Sequence, residues 1–177
     1  MFWAGVSSRT IALHGLYSGR DVSQKELDEI FLDELDDRIY QRCVGLIGRR
    51  PRSVSEINRY LSELLWKKGK DWTAGSSYAD RLEDVWEKVR SRVISRLERQ
   101  KLLSDEDFAR WWVENRMRSG KKGWIAVRSE LQAKGIDRDV IAALEPDPSG
   151  ELVRARRLYR KLCAEGVVRE KCLRRLL

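Results

Sequence analysis

Basic side chains are concentrated in two segments of this 177-residue chain that have the composition of turns. The first segment holds Arg49, Arg50 and Arg52 around a proline, and the second runs from Arg116 to Lys122. Guanidinium and ammonium groups bind phosphate and carboxylate, so these segments indicate an acidic partner such as nucleic acid. A solvated turn between two buried helices has the same composition, and the sequence leaves both interpretations open.

A third basic segment lies near the C-terminus, where nine bases accompany three acids between Glu151 and Leu177. A cationic helix face suits DNA or an acidic protein surface, although a polar face that covers its own repeat has the same pattern. The candidate partner-binding residues are Arg49, Arg50, Arg52, Arg116, Arg118, Lys121, Lys122, Arg128, Arg156, Arg157 and Arg160.

Seven tryptophans offer flat rings of the kind that stack on single-stranded nucleic acid. Four of them lie on or beside apolar stripes and are predicted to pack in the core: Trp86, Trp111, Trp112 and Trp124. Trp66 and Trp72 adjoin three lysines. For these two, base stacking and packing of a loop onto its own repeat both stay open.

The segment from Asp21 to Asp37 carries eight acids and one base, although the net charge of the whole chain is +8. Most of the excess positive charge therefore follows residue 37. The acidic segment could mimic nucleic acid or meet a basic patch elsewhere in the chain. A solvated first helix, with Leu27, Ile30 and Phe31 facing inward, is the preferred prediction.

The sequence contains none of the residue patterns typical of the common enzyme classes. P-loop, zinc-protease, nucleophile-elbow and dinucleotide patterns are absent, and His14 is the single histidine. Cys43, Cys163 and Cys172 are widely spaced, which predicts neither a disulfide framework nor a zinc site. The N-terminus lacks the pattern of a secretory signal. We therefore expect a cytoplasmic, non-enzymatic protein with no metal, no cofactor and no membrane association.

Helical periodicity runs through almost the entire chain and predicts an all-α fold. Three predicted helix starts have a serine followed three residues later by an acid: Ser23 with Glu26, Ser53 with Glu56, and Ser104 with Asp107. Only Thr10–Leu16 favours a short N-terminal β-strand. One long helix is predicted over 79–99, and a short last helix is predicted to contain Cys172 and Leu176.

Two of the apolar stripes superpose when the sequence is shifted by 70 positions, which indicates internal repetition. Val54, Ile57 and Leu61 then fall on Trp124, Val127 and Leu131. Stacked three-helix repeats would form an elongated, curved body. The predicted parts are an N-terminal extension with the acidic helix (1–37), a first repeat with a loop insertion at 67–80 (38–103), a second repeat (104–145), and an incomplete third repeat (149–177).

Three motifs resemble those of the RecX family of bacterial recombinase regulators. They are Arg50-Pro51-Arg52-Ser53 followed by Glu56, the run from Leu102 to Ala109, and Gly120-Lys121-Lys122-Gly123 leading to the run from Leu131 to Ile136. The resemblance covers roughly residues 20 to 145.

The resemblance implies tandem three-helix, helix-turn-helix-like repeats that lodge in the groove of the RecA–DNA filament. It further implies a role in homologous recombination, DNA repair and the SOS response, through inhibition of RecA ATP hydrolysis, filament extension and strand exchange. We expect a monomer that binds single- or double-stranded DNA weakly. The alternative is a stand-alone helix-turn-helix-like DNA-binding protein.

Overall fold

The computed structural model describes residues 5–74, 76, 78, 80, 82–119 and 122–164. These residues form an all-α fold, as the periodicity predicts, and none of them lies in a β-strand. The helices are α1 (Ser8–His14), α2 (Gln24–Ile47), α3 (Val54–Thr73), α4 (Leu82–Arg99), α5 (Asp105–Ser119), α6 (Trp124–Ala133), α7 (Arg138–Ala142) and α8 (Pro148–Ala164). Within the described ranges, no helix has both the length and the apolar content needed to cross a bilayer.

The chain divides into two compact units, and the main division falls between Leu103 and Ser104. The first unit contains Met1–Arg50 and Glu56–Leu103, and the second contains Pro51–Ser55 and Ser104–Leu177. The three residues before α3 and the first two residues of α3 therefore belong with the second unit.

The predicted β-strand over Thr10–Leu16 is wrong, because α1 occupies Ser8–His14. Ser7 Oγ accepts a hydrogen bond from the Thr10 N–H at the start of this helix, at 3.2 Å. Gly15 ends the helix in the left-handed conformation, with φ at 56°. The buried Thr10 hydroxyl donates to Glu34 of α2 at 2.9 Å. Two caps and one tertiary hydrogen bond thus override the β preference of this segment.

The acidic segment is the first half of α2, a single helix of 24 residues. The predicted boundary between residues 37 and 38 therefore falls inside a continuous helix. Its start has the predicted capping box, in which Ser23 Oγ accepts from the Glu26 N–H and the Glu26 carboxylate accepts from the Ser23 N–H. The acidic residues and the buried Ile39 and Cys43 that follow them thus share one helical element.

The core of the first unit is built from one face each of α2, α3 and α4. Six of its side chains have no exposed surface: Ile39, Cys43, Ile57, Leu61, Val93 and Leu97. Burial raises the pKa of the Cys43 thiol to about 12, so this cysteine is an inert core residue at neutral pH.

Helix α3 continues to Thr73, so the first seven residues of the predicted 67–80 loop are helical. Gly69 is buried, and a Cβ placed there would lie 2.8 Å from Leu65 and 3.1 Å from Leu82. Thr73 Oγ1 donates to the Gly69 carbonyl at 3.0 Å. Gly69 therefore allows close packing of a helix, although the sequence of this segment predicts a loop.

The second unit has its own core, formed by α5, α6 and α7. Val127, Leu131 and Ala109 have no exposed surface, and Phe108 is almost completely buried beside them. Trp124 is 6% exposed, which confirms its predicted place in the core. Residues 165–177, with the predicted last helix, lie outside the described residues.

Residues 51–55 are fastened inside the second unit by two hydrogen bonds and lie close to the turn after α6. Ser53 Oγ donates to the Lys134 carbonyl at 2.9 Å, and Asp105 Oδ1 accepts from the Val54 N–H at 2.8 Å. Gly135 has a φ of +76°, and a Cβ placed there would lie 2.7 Å from the Ser55 Cβ. The turn after α6 therefore accepts only glycine without rearrangement.

We expect Gly135→Ala to lower the free energy of unfolding by about 2–5 kcal/mol, because a left-handed alanine and a steric clash with Ser55 are introduced together. Gly19→Ala is the matched control, since Gly19 also has a positive φ of 86° but has no atom within 4 Å of the added Cβ. This control should cost only about 1–2 kcal/mol. Urea unfolding measures both values, and equal costs would contradict the clash.

Candidate functional site

The first basic turn, between α2 and α3, presents its three arginines differently. Arg49 is exposed, whereas Arg50 and Arg52 are half-buried. Arg50 binds the Glu56 carboxylate with two nitrogens, at 2.9 and 3.0 Å. Such a bidentate pair fixes the guanidinium in one orientation. In this turn, Arg49 is the arginine most open to a partner.

The second basic segment is organised by Glu130 of α6. Arg116 Nε donates to Glu130 Oε2 at 2.8 Å, and the Lys122 ammonium pairs with Glu130 Oε1. Trp112 Nε1 donates to the same carboxylate at 2.9 Å. The Arg116 guanidinium also lies 4.4 Å above the Trp112 ring, a cation–π arrangement. Two of the predicted binding residues are therefore held by an internal acid.

The charge on Glu130 is stabilised by these neighbours. Burial raises its pKa, but hydrogen bonds from Lys122 and Trp112 and the positive charges of Arg116 and Lys122 outweigh this effect, so the net pKa is lowered. The carboxylate is therefore ionised at neutral pH and holds both cations.

Two further predicted residues of the second unit are exposed: Arg118 at the end of α5 and Arg128 on α6. No carboxylate in the described part of the chain pairs with either of them. Lys121 lies outside the described residues. Arg118 and Arg128 thus resemble Arg49 in keeping their charge open to solvent.

Helix α8 carries the third predicted group. Arg156 and Arg160 are exposed and four residues apart, so they lie on one face of the helix. Tyr159 is also exposed. Arg157 belongs to α8, but its side chain is not among the described ones. The described part of α8 thus presents a cationic face with an aromatic residue beside it.

The six tryptophans of the described residues fall into three groups. Trp86 and Trp124 are buried, and Trp111 and Trp112 pack at the edge of the second core around Phe108, which confirms the prediction that these four rings are structural. Trp72 packs against Trp86 in a tilted arrangement, with ring centroids 6.3 Å apart. Trp66 is 85% exposed.

The acidic half of α2 is paired with bases of its own unit, contrary to the preferred prediction of a solvated helix. Asp33 accepts from Arg92 at 3.3 Å, and Asp37 accepts from Arg96 at 3.3 Å. The partners advance by four residues in both helices, which shows that α2 and α4 run in the same direction. The side chains of Arg96 and Asp37 are only 14% and 9% exposed.

Helix α1 supplies the other partners of this acidic face. His14 Nε2 lies 2.9 Å from Asp33, and Arg9 Nε lies 3.3 Å from Asp37. Among the described residues, no group of three or more His, Cys, Asp or Glu side chains is arranged to hold a metal ion. The acids of α2 therefore fasten α1 and α4, which makes mimicry of nucleic acid by this face a poor explanation of its charge.

The sequence indicates the cations but not the pairing with the carboxylates that hold some of them. Glu56 and Glu130 decide which bases of the two turns stay available. The sequence indicates Glu56 only as a helix-start residue and gives no signal for Glu130. The spacing of Asp33 and Asp37 matches that of Arg92 and Arg96, and this match is the one signal that could have indicated the ladder between α2 and α4.

Glu130→Gln should destabilise the second unit at neutral pH, with an effect that disappears in acid. A carboxyl whose pKa is lowered by folding contributes stability above its ordinary pKa of about 4.5, and this contribution is lost as the pH falls through the lower folded value. The measurement is the free energy of unfolding of both proteins between pH 7 and pH 3.

Glu145→Gln, an exposed glutamate of the same unit, is the control and should leave the pH profile unchanged. A Glu130→Gln effect of the same size at every pH would show that the pairing with Arg116 and Lys122 is not what stabilises this unit.

Comparisons with known proteins agree with this architecture. Residues 104–144 match the family model described as RecX, second three-helix domain. The chain is 42% identical over 120 residues to the regulatory protein RecX of Mycolicibacterium smegmatis, covering 67% of this chain and 54% of that protein. It is 27% identical over 146 residues to the regulatory protein RecX of Lactobacillus delbrueckii, covering 82% of this chain and 47% of that protein.

The chain spans about half the length of these curated relatives. A crystal structure of regulatory protein RecX shares the fold, with a TM-score of 0.67 at 18% identity, covering 97% of this chain and 77% of that one. The predicted resemblance is confirmed by three comparisons that agree: a three-helix domain matched over residues 104–144, relatives named regulatory protein RecX, and a shared fold. The chain belongs to the RecX family.

Proposed function

We propose that this chain binds the RecA–DNA filament and inhibits its ATP hydrolysis, its extension and strand exchange. RecX-family membership supports the identity of the partner. The observation that carries the binding mode is the division of the basic residues into those paired with internal carboxylates and those that are exposed and have no such pair among the described residues. The second group provides charge that the fold itself does not use.

In this proposal the exposed cations make the contacts: Arg49, Arg118, Arg128, Arg156 and Arg160. Arg50, Arg116 and Lys122 shape the two turns through Glu56 and Glu130 and contribute indirectly. Arg52, Lys121 and Arg157 stay in the proposed set on the strength of the sequence pattern.

Exposed charges of this kind give individually weak contacts that salt screens. Several weak contacts spread over tandem units become strong together, because the first contact raises the effective concentration of the next. A repetitive polymer such as a recombinase filament presents the matching series of sites. Bridging successive subunits would hinder the rearrangements that accompany ATP turnover, and no chemistry by the bound protein is needed.

In this proposal the protein is a non-enzymatic, cytoplasmic regulator of recombination and DNA repair, and it acts as a monomer. It needs no cofactor. The alternative function, a stand-alone helix-turn-helix-like DNA-binding protein, predicts tight and sequence-selective binding to duplex DNA without RecA. The proposal predicts that binding to DNA alone is weak and sensitive to salt.

Arg118→Ala should raise the concentration needed for half-inhibition of the RecA ATPase on single-stranded DNA by about tenfold, since one charged hydrogen bond contributes about 1.5 kcal/mol. Arg110→Ala is the matched control. Arg110 lies on the same helix and its side chain is 63% exposed, but it pairs with Asp107 at 3.2 Å. Its replacement should leave inhibition nearly unchanged.

Equal effects of the two substitutions would contradict the proposed role of Arg118. If the wild-type chain leaves the ATPase unchanged at saturating concentration, the proposed function itself is wrong. Circular dichroism of both variants establishes that the helical content is retained.

A further inference from the structure

Trp66 lies in the middle of α3 and is 85% exposed, so its indole ring contributes almost nothing to the core. The other five tryptophans of the described residues are buried or half-buried. Trp72, only six residues later in the same helix, is half-buried against Trp86. The fold therefore accounts for Trp72 and leaves the exposure of Trp66 without a structural purpose.

The face of α3 around Trp66 is positively charged. Arg59, Lys67 and Lys70 are all exposed and lie at positions that place them on or beside the same face as Trp66. Glu63 is the single acid of this stretch, and it lies 4.0 Å from Lys67. An exposed ring is thus accompanied by cations on the turns before and after it.

This composition differs from that of a protein-docking surface. Protein interfaces surround an aromatic anchor with apolar side chains and are depleted in lysine. The neighbours of Trp66 on this face are polar or charged, and no second large apolar side chain of α3 is exposed there. A polyanion with accessible aromatic faces matches this face of α3, because it offers negative charge to the cations and a flat ring to Trp66.

We propose that Trp66 stacks on a base of single-stranded DNA, while Arg59, Lys67 and Lys70 contact the adjoining phosphates. Aromatic rings and flanking cations are the two components of sequence-tolerant single-strand binding. Duplex DNA does not fit, because its bases are stacked on each other and offer no free face to a ring on a convex helix. The choice of DNA rather than RNA as the single strand rests on the proposed function. The stacking contact itself does not require RecA.

The experiment measures fluorescence anisotropy of a labelled oligothymidine with the full chain and no RecA. Trp66→Ala should weaken binding by about tenfold, within the range expected for one stacked base. Trp66→Phe retains a ring and should recover most of the affinity. Tyr17→Ala is the matched control, because Tyr17 is an exposed aromatic residue of the same unit, at 72%, that adjoins the acidic segment.

The charged component is tested by salt dependence. Lys67→Gln and Lys70→Gln should each reduce the slope of log affinity against log salt by about 0.7, the value for one phosphate contact on a single strand. Lys25→Gln, an exposed lysine within the acidic segment, should leave the slope unchanged.

Unchanged oligothymidine binding by Trp66→Ala would overturn the proposal. So would an equal loss of affinity for a blunt duplex of the same length, or tighter binding to oligouridine than to oligothymidine. If Trp66→Ala reduces inhibition of the RecA ATPase but not oligothymidine binding, the patch contacts protein and the DNA assignment is wrong. Because the binding assay contains no RecA, its result is independent of whether the chain inhibits RecA.

Discussion

Pairing between carboxylates and guanidinium or ammonium groups within each unit decides which cations of this basic chain remain open to a partner. A net charge of +8 describes the chain as a whole, but much of the positive charge is already used by acids of the same unit. The Arg50–Glu56 pair and the Glu130 cluster neutralise three of the predicted contacts, although the side chains of Arg116 and Lys122 are still 40% and 44% exposed. What remains is a smaller set of exposed arginines and lysines, and the proposed functions depend on that set.

The same interaction builds the first unit. Arg96 is mostly buried between Asp36 and Asp37, at 3.7 and 3.3 Å. Its guanidinium also lies 3.5 Å above the Tyr40 ring. Removing this arginine would take away the ion pair of the mostly buried Asp36 and leave Asp37 with Arg9 alone, which is more costly than losing an exposed pair. The acidic half of α2 is therefore a structural element that needs the basic residues of α4, and its charge has no need of an external partner.

Much of the fold could be predicted from the sequence, because helices are specified by nearby residues. Apolar spacing located the core faces of α2, α4 and α6, and the Ser23–Glu26 box located the start of α2. The errors arose where tertiary contacts outweigh local preference. Thr10 is helical and its hydroxyl reaches Glu34, and residues 67–73 are helical with Gly69 packed closely against Leu82.

The candidate site was only partly predictable for a related reason. The sequence by itself determined the all-α class, the family and the positions of the basic turns, since these depend on composition, periodicity and short motifs. Only the tertiary structure decided that Arg50, Arg116 and Lys122 are held by internal acids, that Trp72 is packed and that Trp66 is exposed. Pairing and burial depend on which side chains meet after the helices pack. Arg116 and Glu130, for example, are far apart in the chain, so no local sequence pattern predicts their contact.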